Sequence, residues 1–172
     1  MYSTIQFLFM KRKYFICLLL LTFINVHSQE TIDEALQKYN SHEVPYLKVG
    51  EAIDNKEYLF LDARRKEEYD VSHIKNANFV GTSKLNLKEM SNFAPDKNAP
   101  IIVYCSIGVR SEKSAKQLLE LGYTNVYNLY GGIFEWINQG HPIVDNLGNK
   151  TNKVHAFSKF WGKFLTKGEK VY

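Results

Sequence analysis

Four consecutive apolar residues, Ile101, Ile102, Val103 and Tyr104, run directly into a cysteine, and a glycine, an arginine and a helical pattern follow within a few positions. A β-branched run of this kind leaves no face for water, so it belongs to a strand covered on both sides. Strands of that type occur in parallel sheets with helices packed on each face. The rest of the chain repeats the alternation. Segments 58–62, 77–80 and 126–129 read as short strands, and 45–49 as a brief edge strand. Helices are expected at 31–39, at 85–93 with Leu87 and Met90 inward, at 111–121 and at 133–139, with a helical turn at 50–54. The first opens on a Thr31–Glu34 capping-box pattern. The third puts Ala115, Leu118, Leu119 and Gly122 on one face, with Gly122 as its stop. The pattern predicts an α/β domain around a mostly parallel sheet, and no segment repeats internally.

Charge is distributed unevenly. The 172 residues carry 22 Lys+Arg and 18 Asp+Glu, a net +4. Lys11, Arg12 and Lys13 stand before an apolar stretch at 14–24, which ends near the small residue Ser28. Basic start, short apolar centre and small exit residue describe a secretory signal peptide over residues 1–28, with Met10 as the tidier initiator. The run is short of the roughly 20 residues that a spanning anchor requires. Bulky Ile16 argues against Cys17 as a lipid-attachment site. Taking 28 leader residues from 172 leaves 144, with 19 basic against 18 acidic side chains and a net charge of +1. Nucleic acid is therefore not an expected partner, and export, with the periplasm as destination, is the expected localisation. One of the two cysteines leaves with the leader, so Cys105 can form no internal disulfide. It is either an inert buried thiol or a reactive one.

Position favours the reactive reading. Cys105 lies at the carboxyl end of the strongest strand, where open α/β sheets place their ligands. The loop Cys105, Ser106, Ile107, Gly108, Val109 and Arg110 can wrap beneath the sulfur, Gly108 permitting the tight backbone. The following helix presents its positive end, and Arg110 a permanent charge and a forked donor. All three favour thiolate over thiol, and the thiolate is the nucleophile.

The stretch 103–111 (VYCSIGVRS) resembles the active-site loop of the rhodanese sulfurtransferases. Residues 121–129 (LGYTNVYNL), Gly131, Gly132 and Trp136 resemble the segment after it. Leu61, Asp62, Ala63, Arg64, Glu68, Tyr69, His73 and Ile74 match the family's upstream signature. Ser72, Lys75 and Asn76 depart there from its usual glycine, proline and glycine. The resemblance spans residues 44–142 and implies a three-layer fold with a central sheet between helices. It implies a persulfide relay in which Cys105 takes the outer sulfur of thiosulfate, a polysulfide or a persulfide. A thiol or dithiol acceptor, or a small thiophile such as cyanide, then removes it, without metal or organic cofactor. Ser106, Ile107, Gly108, Val109, Arg110 and Ser111 would bind the donor. Arg110 would orient the small sulfur-containing anion, and Ser106 and Ser111 would supply extra hydrogen bonds. Related cysteine phosphatases use a loop one residue longer, sized for a tetrahedral phosphate. Here Cys105 and Arg110 are five apart, the spacing of the sulfur enzymes. The alternative from another class is a non-catalytic module that binds a partner or senses sulfide.

Other polar residues receive structural readings. Asp62 and Arg64 fix the strand end in support of the site, His73 steadies a turn, and Trp136 packs the last helix on the sheet. The charged run 64–68 is read as a solvated surface. His42, His141 and His155 lack ligand spacing. Residues 29–43 form an N-terminal helical extension, and 143–172 a C-terminal one. In the latter Phe157, Phe160, Trp161, Phe164 and Leu165 fall on one helical face and Lys159, Lys163 and Lys167 on another. A basic amphipathic helix of this kind is expected to dock on its own domain. Contact with anionic lipid is the less favoured alternative, and Gly162 weakens any long helix.

Overall fold

The computed structural model describes residues 30–54, 57–82, 84–85 and 87–172; the leader read at 1–28 lies outside them. Ile101–Tyr104 (β4) forms the central strand, and both its neighbours run parallel to it. On one side lies Leu59–Asp62 (β2), then Asn78–Phe79 (β3). On the other lie Val126–Leu129 (β5) and the edge strand Tyr46–Leu47 (β1). The order β1-β5-β4-β2-β3 gives an all-parallel sheet of 5 strands, the α/β architecture expected from the alternation.

Side chains of β4 alternate between two cores, as strand geometry requires. Ile101 and Val103 pack with Ala115, Leu118, Tyr123 and Met90, while Ile102 and Tyr104 pack with Ile133, Phe134 and Trp136. All four β4 residues are 0% exposed, which is why the run carries no polar residue. Helices Ile32–Tyr39 (α1), Val49–Asp54 (α2), Lys66–Val71 (α3), Leu87–Phe93 (α4), Val109–Glu120 (α5) and Gly132–Asn138 (α6) connect and cover the strands. In α1 both halves of the Thr31–Glu34 capping box form. Helix α5 begins two residues before the expected start, because Gly108 enters the left-handed region (φ 101°) and turns the chain into the helix at once.

The C-terminal segment differs from expectation. No amphipathic helix spans 157–165; a single 3₁₀ turn covers Trp161–Phe164. Lys153–His155 (β6) pairs in parallel with Glu169–Val171 (β7), so the chain returns on itself. Two features break the helix. Phe157 lies in the left-handed region (φ 63°). A Cβ on Gly162 would stand 2.9 Å from the mobile tip of Tyr172 and 3.2 Å from Ala156 Cβ, so glycine suits the close return of the chain there. Val154, Ala156, Phe164 and Leu165 enter the same core as Ile102 and Tyr104. The segment is thus docked on its own domain through residues from several short elements.

Candidate active site

Cys105 leaves the end of β4 almost fully buried, and the described residues contain no second free cysteine. The Gly108 N–H donates to its Sγ at 3.2 Å. The Ser111 hydroxyl lies 3.5 Å from the sulfur and 2.7 Å from Asn128 Oδ1, so its one hydrogen can serve either acceptor. Burial opposes ionisation of Cys105. The Arg110 charge and the hydrogen bonds from Ser111 and Gly108 outweigh it, leaving the thiol below its ordinary range.

The loop is held from behind by its carbonyls. Cys105 O accepts from the Ile133 N–H and Ser106 O from the Phe134 N–H, at 2.9 and 3.0 Å. Gly108 O accepts from Asn128 Nδ2 at 2.8 Å and from Asn40 Nδ2 at 2.9 Å. With three carbonyls bound outward, the loop is free to turn N–H groups toward the sulfur. The grip on Cys105 and Ser106 depends on Gly132, where a Cβ would come within 2.4 Å of Cys105 O.

Two carboxylate–guanidinium pairs stand beside the loop. Arg64 Nε and Nη2 reach Asp62 at 2.7–3.1 Å, and both side chains are fully buried. Arg64 Nη2 also donates to Ser72 O at 2.6 Å. Burial alone would lower the Arg64 pKa, but the Asp62 charge and hydrogen bonds hold it above its usual value. This pair ties the end of β2 to the turn after α3. The second pair is Glu68–Arg110. Arg110 Nη1 and Nη2 each reach a Glu68 oxygen at 2.7 Å, and Nη2 also donates to Ser106 Oγ at 2.9 Å. Glu68 is fully buried while Arg110 is 27% exposed. The solvated-surface reading of 64–68 therefore holds for Arg65, Lys66 and Glu67 and fails for Arg64 and Glu68. Each of those two finds an opposite charge that makes burial tolerable.

A cavity of about 140 Å³ opens onto this arrangement. Cys105, Ser106, Ile107, Val109 and Arg110 form its floor, and Phe157 and Trp161 form a wall from the C-terminal segment. Gly108 and Ser111 serve the sulfur from below. His73 stacks on Tyr69 at 3.9 Å, with Nδ1 3.1 Å from Tyr69 O, and Trp136 packs edge-on to Phe60. Among the described residues, no group of three or more His, Cys, Asp or Glu side chains could hold a metal ion.

Residues 47–139 match the Rhodanese-like domain family, more than half of the chain. The protein belongs to that family. Thiosulfate sulfurtransferase GlpE of Coxiella burnetii is 34% identical over 103 residues, covering 60% of this chain and 92% of that protein. The tRNA uridine(34) hydroxylase of Photorhabdus laumondii is 37% identical over 110 residues, covering 57% of this chain but only 31% of the hydroxylase. Among solved structures, a thiosulfate sulfurtransferase from Pseudomonas aeruginosa superposes with a TM-score of 0.54 at 28% identity, over 71% of this chain and 23% of that one. A rhodanese-related protein from Thermoplasma volcanium gives 0.50 at 29% identity, over 58% and 97%.

The loop lies at the end of β4 as the sequence indicated, and the contacts that four neighbours make with it were not expected. Glu68 matches the upstream signature, but its place in a charged run gave no sign that it pairs with Arg110. Asn128 is the one polar residue of an otherwise apolar or aromatic strand, a signal that was available. Asn40 and Phe157 lie outside residues 47–139, and no local pattern marks either as facing the loop.

Proposed function

We propose that this protein is a sulfurtransferase that carries sulfane sulfur as a persulfide on Cys105. One observation carries the reading. A buried thiol at a strand end receives the Gly108 N–H, stands beside the Ser111 hydroxyl and the Arg110 charge, and faces a small cavity. The Cys105 thiolate attacks the outer sulfur of a donor, and the bond from that sulfur to the rest of the donor breaks, releasing sulfite or a thiolate. Inward N–H groups stabilise the negative charge on the bound sulfur, as oxyanion donors do elsewhere. A thiol or dithiol acceptor then attacks the outer sulfur of Cys105–S–SH and restores the thiolate. The likeness to a thiosulfate sulfurtransferase along nearly its whole length supports this reading. The hydroxylase likeness covers a minor part of a longer protein. Thiosulfate, polysulfide and persulfide are the proposed donor class, and the leader at 1–28 is proposed to direct export to the periplasm.

Treating the protein with thiosulfate or polysulfide should add a sulfur atom that cyanide removes, read by mass spectrometry of the intact chain. Cys105→Ala should add none. Equal behaviour of the two proteins would favour a non-catalytic module.

A further inference from the structure

The C-terminal wall of the cavity lies outside the family's matched residues, and it is built to do something specific. Phe157 holds a left-handed backbone conformation that bulky side chains rarely adopt (φ 63°), and its N–H donates to His155 Nδ1 at 3.1 Å. Its ring lies between two guanidiniums, 4.5 Å from Arg110 and 4.9 Å from Arg65. Trp161 is braced edge-on by Tyr39 of α1 at 5.5 Å and by Phe160 at 5.0 Å. Residues from before the first strand and after the last helix therefore hold the aromatic wall of the cavity that Cys105 lines.

This wall changes what the cavity can hold. Among the described residues, Arg110 is the one cationic side chain lining it. Both outer nitrogens of that guanidinium are engaged by Glu68, and its face is covered by Phe157. The Arg110–Glu68 pair is neutral overall, so a thiolate at Cys105 leaves the site with net negative charge. A dianion such as thiosulfate meets repulsion and a competing carboxylate. Apart from Cys105, Ser106 and Arg110, the lining residues, Ile107, Val109, Phe157 and Trp161, are apolar. A volume of about 140 Å³ is close to that of an apolar cavity, about 150 Å³, known to accept a benzene ring.

We propose that Phe157 and Trp161 are specificity-determining residues that select organic sulfane-sulfur donors, in which the transferable sulfur rides on an apolar carbon group, over inorganic thiosulfate. The proposal rests on the sulfurtransferase reading above. With a thiosulfonate R–SO₂–S⁻, Cys105 Sγ bonds to the terminal sulfur and the S–SO₂R bond breaks. R–SO₂⁻ leaves with the bonding pair, so charge balances and no further oxidant or reductant is required. The R group occupies the space under the two rings.

Single-turnover loading of Cys105, followed by mass spectrometry, compares benzenethiosulfonate with thiosulfate as donors. The wild type should load from both, about tenfold or more efficiently from benzenethiosulfonate. Phe157→Gly deletes the ring while leaving a residue at ease with φ near +63°, and should remove most of that preference through the KM for the organic donor. Phe157→Leu, which keeps apolar bulk and loses the ring face, and Trp161→Leu should each reduce it less, and they decide the matter if the glycine variant does not fold. A wild type without the preference, or a donor ratio unchanged in the folded variants, overturns the proposal. A wild type that loads from neither donor overturns the sulfurtransferase reading and this inference with it.

Discussion

Asp62–Arg64 and Glu68–Arg110 join the same chemical groups at nearly the same distances, yet they occupy different situations. The first pair is sealed, with neither side chain exposed. Its hydrogen bonds join a strand end to the Ser72 carbonyl, and neither residue lines the cavity. In the second, a sealed carboxylate restrains a guanidinium that reaches the cavity and shifts the Cys105 thiol. One ion pair closes a core, and the other leaves a partner facing the cavity that Cys105 lines.

The difference can be broken by mutation. Asp62→Ala strands the Arg64 charge in the interior and should destabilise the protein by about 3–5 kcal/mol in denaturant melts. Arg110→Ala should cost less, about 1–3 kcal/mol, because Glu68 keeps the Arg65 N–H at 3.0 Å and the Ser106 hydroxyl at 3.2 Å. Its distinguishing effect is on the thiol. The pH midpoint of Cys105 alkylation should rise, and an unmoved midpoint would make the two pairs equivalent. The smallest effect concerns acid. Burial would raise the Glu68 pKa, but Arg110, the Arg65 N–H and Arg64 more than offset it, so the folded value lies below the usual glutamate range. Such a group is bound to more protons in the unfolded chain. Its stabilisation is complete above about pH 4.3, the ordinary unfolded value, and is lost as pH falls through the depressed folded one. Glu68→Gln should therefore lose about 1 kcal/mol at neutral pH and show a shallower decline of stability below about pH 4.3.

The contrast also shows what a sequence can reveal. Ile101–Tyr104 was legible because complete burial on both faces demands an unbroken apolar run, and Thr31–Glu34 because a capping box is local. Glu68 was not, since a charged run looks the same whether a member faces water or a partner 42 positions later. The C-terminal spacing was truly helical in period, but period records which residues are apolar and not whether the chain can reverse at Gly162. Cys105, Gly108 and Arg110 could be read together because they fall within one short loop of the sequence. The residues that brace that loop, Asn40, Asn128 and Phe157, are brought together only by the fold.

Asn40 has a consequence for how this unit could be moved or trimmed. Its amide holds the Gly108 carbonyl from before the first strand, while Phe157 covers Arg110 from after the last helix. A fragment cut to residues 47–139 would keep Cys105 and lose both braces. The family's matched span is therefore smaller than the transplantable unit, and a fusion or minimal version should carry its flanks from α1 through β7.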